Sequence, residues 1–153
     1  MAVSNYEKNL VRKPRYEVSA GNVTGRQYPT MTMMSNDLVA GVNTYIEIGW
    51  VYEMPNPNLH IFEHSHRENC NEIVLHLGTN PNNPEDLGAE IEFVVDGQPL
   101  AFDTTSALYI PAGVKHGPVT WRKVTRPHLQ IAMVLGAGTM AEADPGGHDK
   151  RKL

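Results

Sequence analysis

His60-Ile61-Phe62-Glu63-His64-Ser65-His66-Arg67-Glu68-Asn69-Cys70-Asn71-Glu72-Ile73-Val74-Leu75-His76-Leu77-Gly78 is the stretch around which the rest of the chain is organised. Side chains alternate faces along a β-strand, so His64 and His66 point the same way and are placed to hold one ion. A carboxylate at Glu72 and a histidine far downstream, His116, would complete a shell of nitrogen and oxygen donors. The stretch therefore predicts a metal site inside a β-barrel.

Outward from it, the chain reads as short strands. Leu38-Val39-Ala40 and Tyr45-Ile46-Glu47-Ile48-Gly49-Trp50-Val51-Tyr52 are rich in types that favour pleated sheet, and Pro55 to Asn58 reads as a turn. His60 to His66 is the next predicted strand, with Glu72 to Leu77 as its partner. The loop from Thr79 to Gly88 is long for a hairpin and reads as a rim over the pocket or a subunit contact. Ala89 to Val95 leads through Asp96-Gly97, a strong hairpin signal, into Gln98 to Phe102. Ser106 to Ile110, Gly117 to Trp121 and His128 to Leu135 supply further strands, and a short helix near Met140 is the one helical expectation. Many short strands with frequent turns mean a sandwich or barrel.

Composition bounds the rest. At 153 residues and 41 % hydrophobic the chain suits one domain with a real core. A net charge of −4 with scattered Lys and Arg leaves no footprint for nucleic acid, and a small-molecule partner fits better. One cysteine, Cys70, excludes an intrachain disulfide and points to a reducing compartment. No signal-like segment follows Met1 and no apolar run approaches a membrane span, so the expectation is a cytoplasmic protein without membrane association. Residues 1–36 are polar and interrupted by Gly and Pro, and read as an extended arm lying on the barrel or on a partner subunit. Residues 37–136 form the barrel and 137–153 a loose tail.

His64-x-His66 with Glu72, followed by Pro111-Ala112-Gly113-Val114-Lys115-His116, resembles the two motifs of the cupin superfamily, in its single-domain form. The resemblance covers roughly the middle and C-terminal two thirds of the chain. It implies an all-β fold, a single jelly-roll β-barrel with an extended N-terminal arm. It also implies one divalent metal ion per chain, held by His64, His66, Glu72 and His116, with iron or manganese favoured over zinc or nickel. The second motif has a mechanical logic, since proline and glycine shape a tight turn that delivers His116 inward.

Five residues separate His66 from Glu72, more than the family pattern has, and strict spacing would put Asn71 in the glutamate's place. Parity separates the two registers. With Glu72 inward, Val74 and His76 follow it; with Asn71 inward, Ile73, Leu75 and Leu77 do, leaving a three-histidine site. The Glu72 register is favoured, with a bulge or longer loop absorbing the offset.

Other polar residues are second candidates. His60 shares parity with His64, His76 lines the pocket only in the Glu72 register, and Arg67 could bind a substrate anion; these three are the candidate substrate contacts. Arg26 is a further bidentate anion binder, although surface exposure is the default for both arginines. The parities of Tyr45, Glu47, Glu92 and Tyr109 stay open. Cys70 beside the site is read as inert.

The resemblance implies a small mononuclear metalloenzyme of the dioxygenase or oxidase type, acting on a small oxygenated or aromatic metabolite. The alternatives are a non-catalytic small-ligand-binding cupin and a redox-neutral, metal-dependent isomerase or lyase. Strands apolar at both parities, such as Ile91 to Val95 and Ile131 to Leu135, predict burial on two sides and a homodimer.

Overall fold

The structure, a computed structural model, describes residues 6–17, 22–54, 59–61 and 69–143, with 59–61 described by backbone pairing alone. Nearly all the regular structure described is strand. In chain order these are β1 (Arg15–Glu17), β2 (Thr30–Met34), β3 (Thr44–Val51), β4 (Leu59–Ile61), β5 (Asn71–Leu77), β6 (Asp86–Val95), β7 (Gln98–Thr104), β8 (Ser106–Ile110), β9 (His116–Val124) and β10 (His128–Leu135). A 3-10 turn at Glu7–Asn9 precedes them and a one-turn helix, α1 (Met140–Ala143), follows.

The strands form two antiparallel sheets, of six strands ordered β1-β2-β3-β10-β5-β8 and of four ordered β4-β9-β6-β7. From β3 onward each strand changes sheet except across the β6–β7 hairpin, as in a jelly roll. The sheets pack through a core in which Val51, Val74 and Ile110 of the larger meet Ile91, Phe93, Val119, Trp121 and Val124 of the smaller. At roughly 1.5–3 kcal/mol for each large side chain removed from water, this core supplies the main drive to fold.

Turn chemistry sets the register. Asp96 and Gly97 both adopt positive φ, at 48° and 76°, the combination that a two-residue hairpin needs to follow strand twist. Pairing then runs from Val95–Gln98 to Ile91–Phe102. Gly78 ends β5 where a Cβ would collide with the carbonyl oxygen of Asp86, so the chain can leave the sheet there only without a side chain.

One predicted strand changes, and both ends of the described chain are seen to attach to the sheets. Leu38-Val39-Ala40 is a turn and not a strand: the amides of Leu38 and Val39 both bond to the Ser35 carbonyl, and Asn36 Oδ1 accepts from Gly41 N–H at 3.3 Å. Local turn chemistry outweighs the β propensity of one valine there. The polar N-terminal stretch contributes β1 and β2 to the larger sheet, and residues 25–27 bond to the end of β3 through Gln27 N to Trp50 O and Tyr52 N to Gly25 O. At the other end, Ala137 and Ala143 are buried with Tyr45, Cys70 and Val134, so the chain is held to residue 143. Among the described residues no helix is long and apolar enough to cross a membrane.

Candidate functional site

β5 decides the register question. Its burial alternates, with Glu72, Val74 and His76 at 5 %, 4 % and 1 % exposure, while Asn71, Ile73, Leu75 and Leu77 face the other side. Glu72 points between the sheets. Asn71 instead steadies the neighbouring turn. Its Oδ1 accepts the Ala112 amide at 2.9 Å and clamps Pro111–Gly113, where Gly113 has φ 77° and Val114 N bonds to Pro111 O.

That turn delivers His116 at the start of β9. Its Nε2 lies 2.6 Å from Glu72 Oε2, and both side chains are almost fully buried. His116 Nδ1 donates to the Val114 carbonyl at 2.9 Å, since a carbonyl can only accept. This bond directs the Nε2 lone pair at a carboxylate oxygen, and two acceptors at that distance need a proton or a cation between them. The donor set, imidazole nitrogen with carboxylate oxygen, is of the kind that divalent first-row metals take.

His64, His66 and Arg67 lie outside the described residues, as does the side chain of His60; β4 pairs His60 with Thr120, between Leu59–Trp121 and Ile61–Val119. Among the described residues no three His, Cys, Asp or Glu side chains converge as a metal set. Cys70 is buried in the core cluster of Tyr45 and Val134.

Next to the Glu72–His116 pair the interior carries a second polar group. Arg26 comes from the polar N-terminal stretch, yet it is only 8 % exposed, and the expected surface position is overturned. The cause is pairing: Arg26 bridges Val51, a fully buried position of β3, and so shares its inward face. Its guanidinium lies against Gly49, where a Cβ would meet Nε at 3.6 Å and Cζ at 3.7 Å. Nε donates to Gln130 Oε1 and Nη2 to Glu47 Oε1, each at 3.0 Å. Gln130 Nε2 then donates to His76 Nε2 at 3.4 Å. Gln130 pairs with both Gly49 and His76, so this row crosses three neighbouring strands.

His76 is held neutral. Burial, then His128 and Arg26, push its pKa down to about 3. His128 is pushed down to about 4 by burial, offset in part by the Arg126 backbone, and its Nε2 accepts from Trp121 Nε1–H at 3.0 Å. Phe93, Phe102 and Trp121 pack their rings around His76. Tyr45, also inward, is raised above its ordinary value, by burial first and then by Glu47, and bonds to Thr32. Glu92 and Tyr109 face outward. Sequence reading missed Gln130 and Trp121; the available signal was alternation, since 128, 130 and 134 are the buried positions of β10.

No family model matches the chain, and no curated protein matches it. Among solved structures it is similar to a protein described as a predicted oxalate decarboxylase from Thermotoga maritima, at 14 % identity over 88 % of this chain and 98 % of that one, TM-score 0.52. It is also similar to an RmlC-like cupin from Shewanella frigidimarina, at 12 % identity over 82 % of this chain and 86 % of that one, TM-score 0.50. The chain has the cupin fold. What its interior is equipped to do rests on its own residues, because this fold hosts many activities.

Proposed function

We propose that the chain is a small mononuclear metalloenzyme that binds one divalent ion through His64, His66, Glu72 and His116 and acts on a small oxygenated or aromatic compound. The buried Glu72–His116 pair carries this reading, because an imidazole nitrogen facing a carboxylate oxygen at 2.6 Å is a donor pair that a divalent ion takes. A divalent ion with nitrogen and carboxylate ligands and open positions supplies Lewis acidity and, as iron or manganese, a place for dioxygen. That chemistry favours a dioxygenase or oxidase.

The chain's own residues supply the surroundings. The Val114 carbonyl holds His116 in the Nδ1–H tautomer, and Asn71 holds the turn that carries it. Phe93, Phe102 and Trp121 keep the interior apolar around His76, which suits an aromatic ring.

A homodimer is part of the proposal. The outer face of the larger sheet presents Ile46, Ile48 and Trp50 of β3, Leu129, Ile131, Met133 and Leu135 of β10, and Ile73, Leu75 and Leu77 of β5. At strand spacings of ~4.8 Å and ~3.3 Å per residue this patch, with β2 and β8 beside it, spans on the order of 500 Å² in plan. Continuous apolar surface of that extent marks an interface, and a flat sheet face is matched by a second copy of itself.

Metal content per chain tests the reading, measured by mass spectrometry on protein purified without added metal or chelator, beside His116→Ala and Glu72→Ala. About one equivalent of iron or manganese, lost in both variants, is the expected result, followed by oxygen uptake with a metabolite extract. Turnover that persists without oxygen would point to the redox-neutral isomerase or lyase. No bound metal and no uptake on reconstitution would leave a ligand-binding module.

A further inference from the structure

Arg26 keeps part of its guanidinium unpaired inside the fold. Its Nη1 is buried and has no hydrogen-bond partner, while Nε and Nη2 are both engaged. A guanidinium out of water with one face unsatisfied carries a desolvation cost that a well-packed apolar side chain would avoid. An acceptor brought in by a ligand removes that cost.

Solvent reaches an inward position close by. Ala132 sits on the inward parity of β10, between buried Gln130 and buried Val134, and pairs with Glu47 and Val74; yet solvent reaches it, as it reaches Leu108, the partner of Val74 on β8. Ala132 is thus a small, solvent-reached side chain between the row of Gln130 and His76 and the row of Val134 and Glu72.

Charge narrows the occupant. Arg26 and Glu47 cancel, and His76 and His128 are neutral. A divalent ion beside Glu72 leaves the interior one positive charge in excess, which a single carboxylate neutralises. We propose that Arg26 Nη1 binds a carboxylate oxygen of a small monoanionic substrate whose other end reaches the Glu72–His116 pair. This rests on the metal reading for the charge count and for the far end of the substrate. The buried, unpartnered Nη1 stands without it.

Formate, acetate and benzoate, each paired with its uncharged amide, are titrated calorimetrically into the wild type and into the double variant Arg26→Met/Glu47→Gln, with metal content measured on the same samples. The double variant removes both charges together, so no unpaired carboxylate is left buried. At least one carboxylate should bind the wild type in preference to its amide, and the double variant should weaken that binding at least roughly tenfold while retaining its metal. Wild type labelled with nitrogen-15 at its arginine guanidinium groups gives a second readout that needs no variant: the Arg26 Nη signals should shift with the carboxylate and not with the amide. Binding of acid and amide alike, equal carboxylate binding by the double variant, an unmoved Arg26 signal, or no binding by any of the three acids would each overturn the inference. Wild type that takes up no metal on reconstitution yet still binds a carboxylate through Arg26 would sink the metal reading and leave the Arg26 contact standing without the charge count.

Discussion

Acid should destabilise this fold through two histidines, and the structure sets the size of the effect. His76 and His128 are neutral when folded, with pKa values pushed down to about 3 and about 4 from 6.5. A depressed folded pKa means that the unfolded chain takes up protons first, so the stability these groups contribute is complete above pH 6.5 and drains away as pH falls towards 4 and 3. Between pH 7 and pH 5 each group costs roughly 1.8 kcal/mol, about 3.5 kcal/mol together, a large share of a typical domain's stability. The titratable groups that act on His76 are His128, neutral when folded, and Arg26, charged throughout, and neither changes charge appreciably in that interval. His128→Gln isolates one of the two terms, because its side-chain oxygen can still accept from the Trp121 indole N–H. Urea unfolding of wild type and variant at pH 7 and pH 5 measures it. The variant should lose about 1.8 kcal/mol less than the wild type over the interval. Equal losses in the two proteins would refute the claim that His128 is buried neutral.

Arg26→Met alone should cost roughly 3–5 kcal/mol in urea unfolding, because it removes the cation that faces the Glu47 carboxylate, which is 3 % exposed, between the sheets. Adding Glu47→Gln should recover most of that loss; a double variant no more stable than the single would show that the ion pair is not the cause. Ile131→Glu places a charge at the centre of the outer apolar face, on a strand flanked by β3 and β5. Light scattering should change from dimer to folded monomer, and a wild type already monomeric would remove the second copy from that face.

Local pattern made much of the fold legible. The Asp96-Gly97 hairpin and the strand from His128 to Leu135 follow from turn residues and β propensity, and the turn before His116 follows from Pro111 and Gly113. Resemblance led to the fold and to Glu72 and His116, which the structure brings together at 2.6 Å. Burial parity on β5 was different: both faces of that strand are apolar, because the outer face of the sheet is as greasy as the core, so composition could not choose between Asn71 and Glu72.

The all-β class and most strand positions were thus readable from the chain alone, since these depend on side-chain types at short spacings, while the two residues of the buried pair came from the family resemblance. Which way those strands face, and that Arg26 lies inside, were settled by tertiary packing. Arg26 is drawn in by a bridge to Val51 and meets Gln130 across 104 residues of chain, which meets His76 across 54. Such contacts exist only once the sheets have closed over them, and no local periodicity records them.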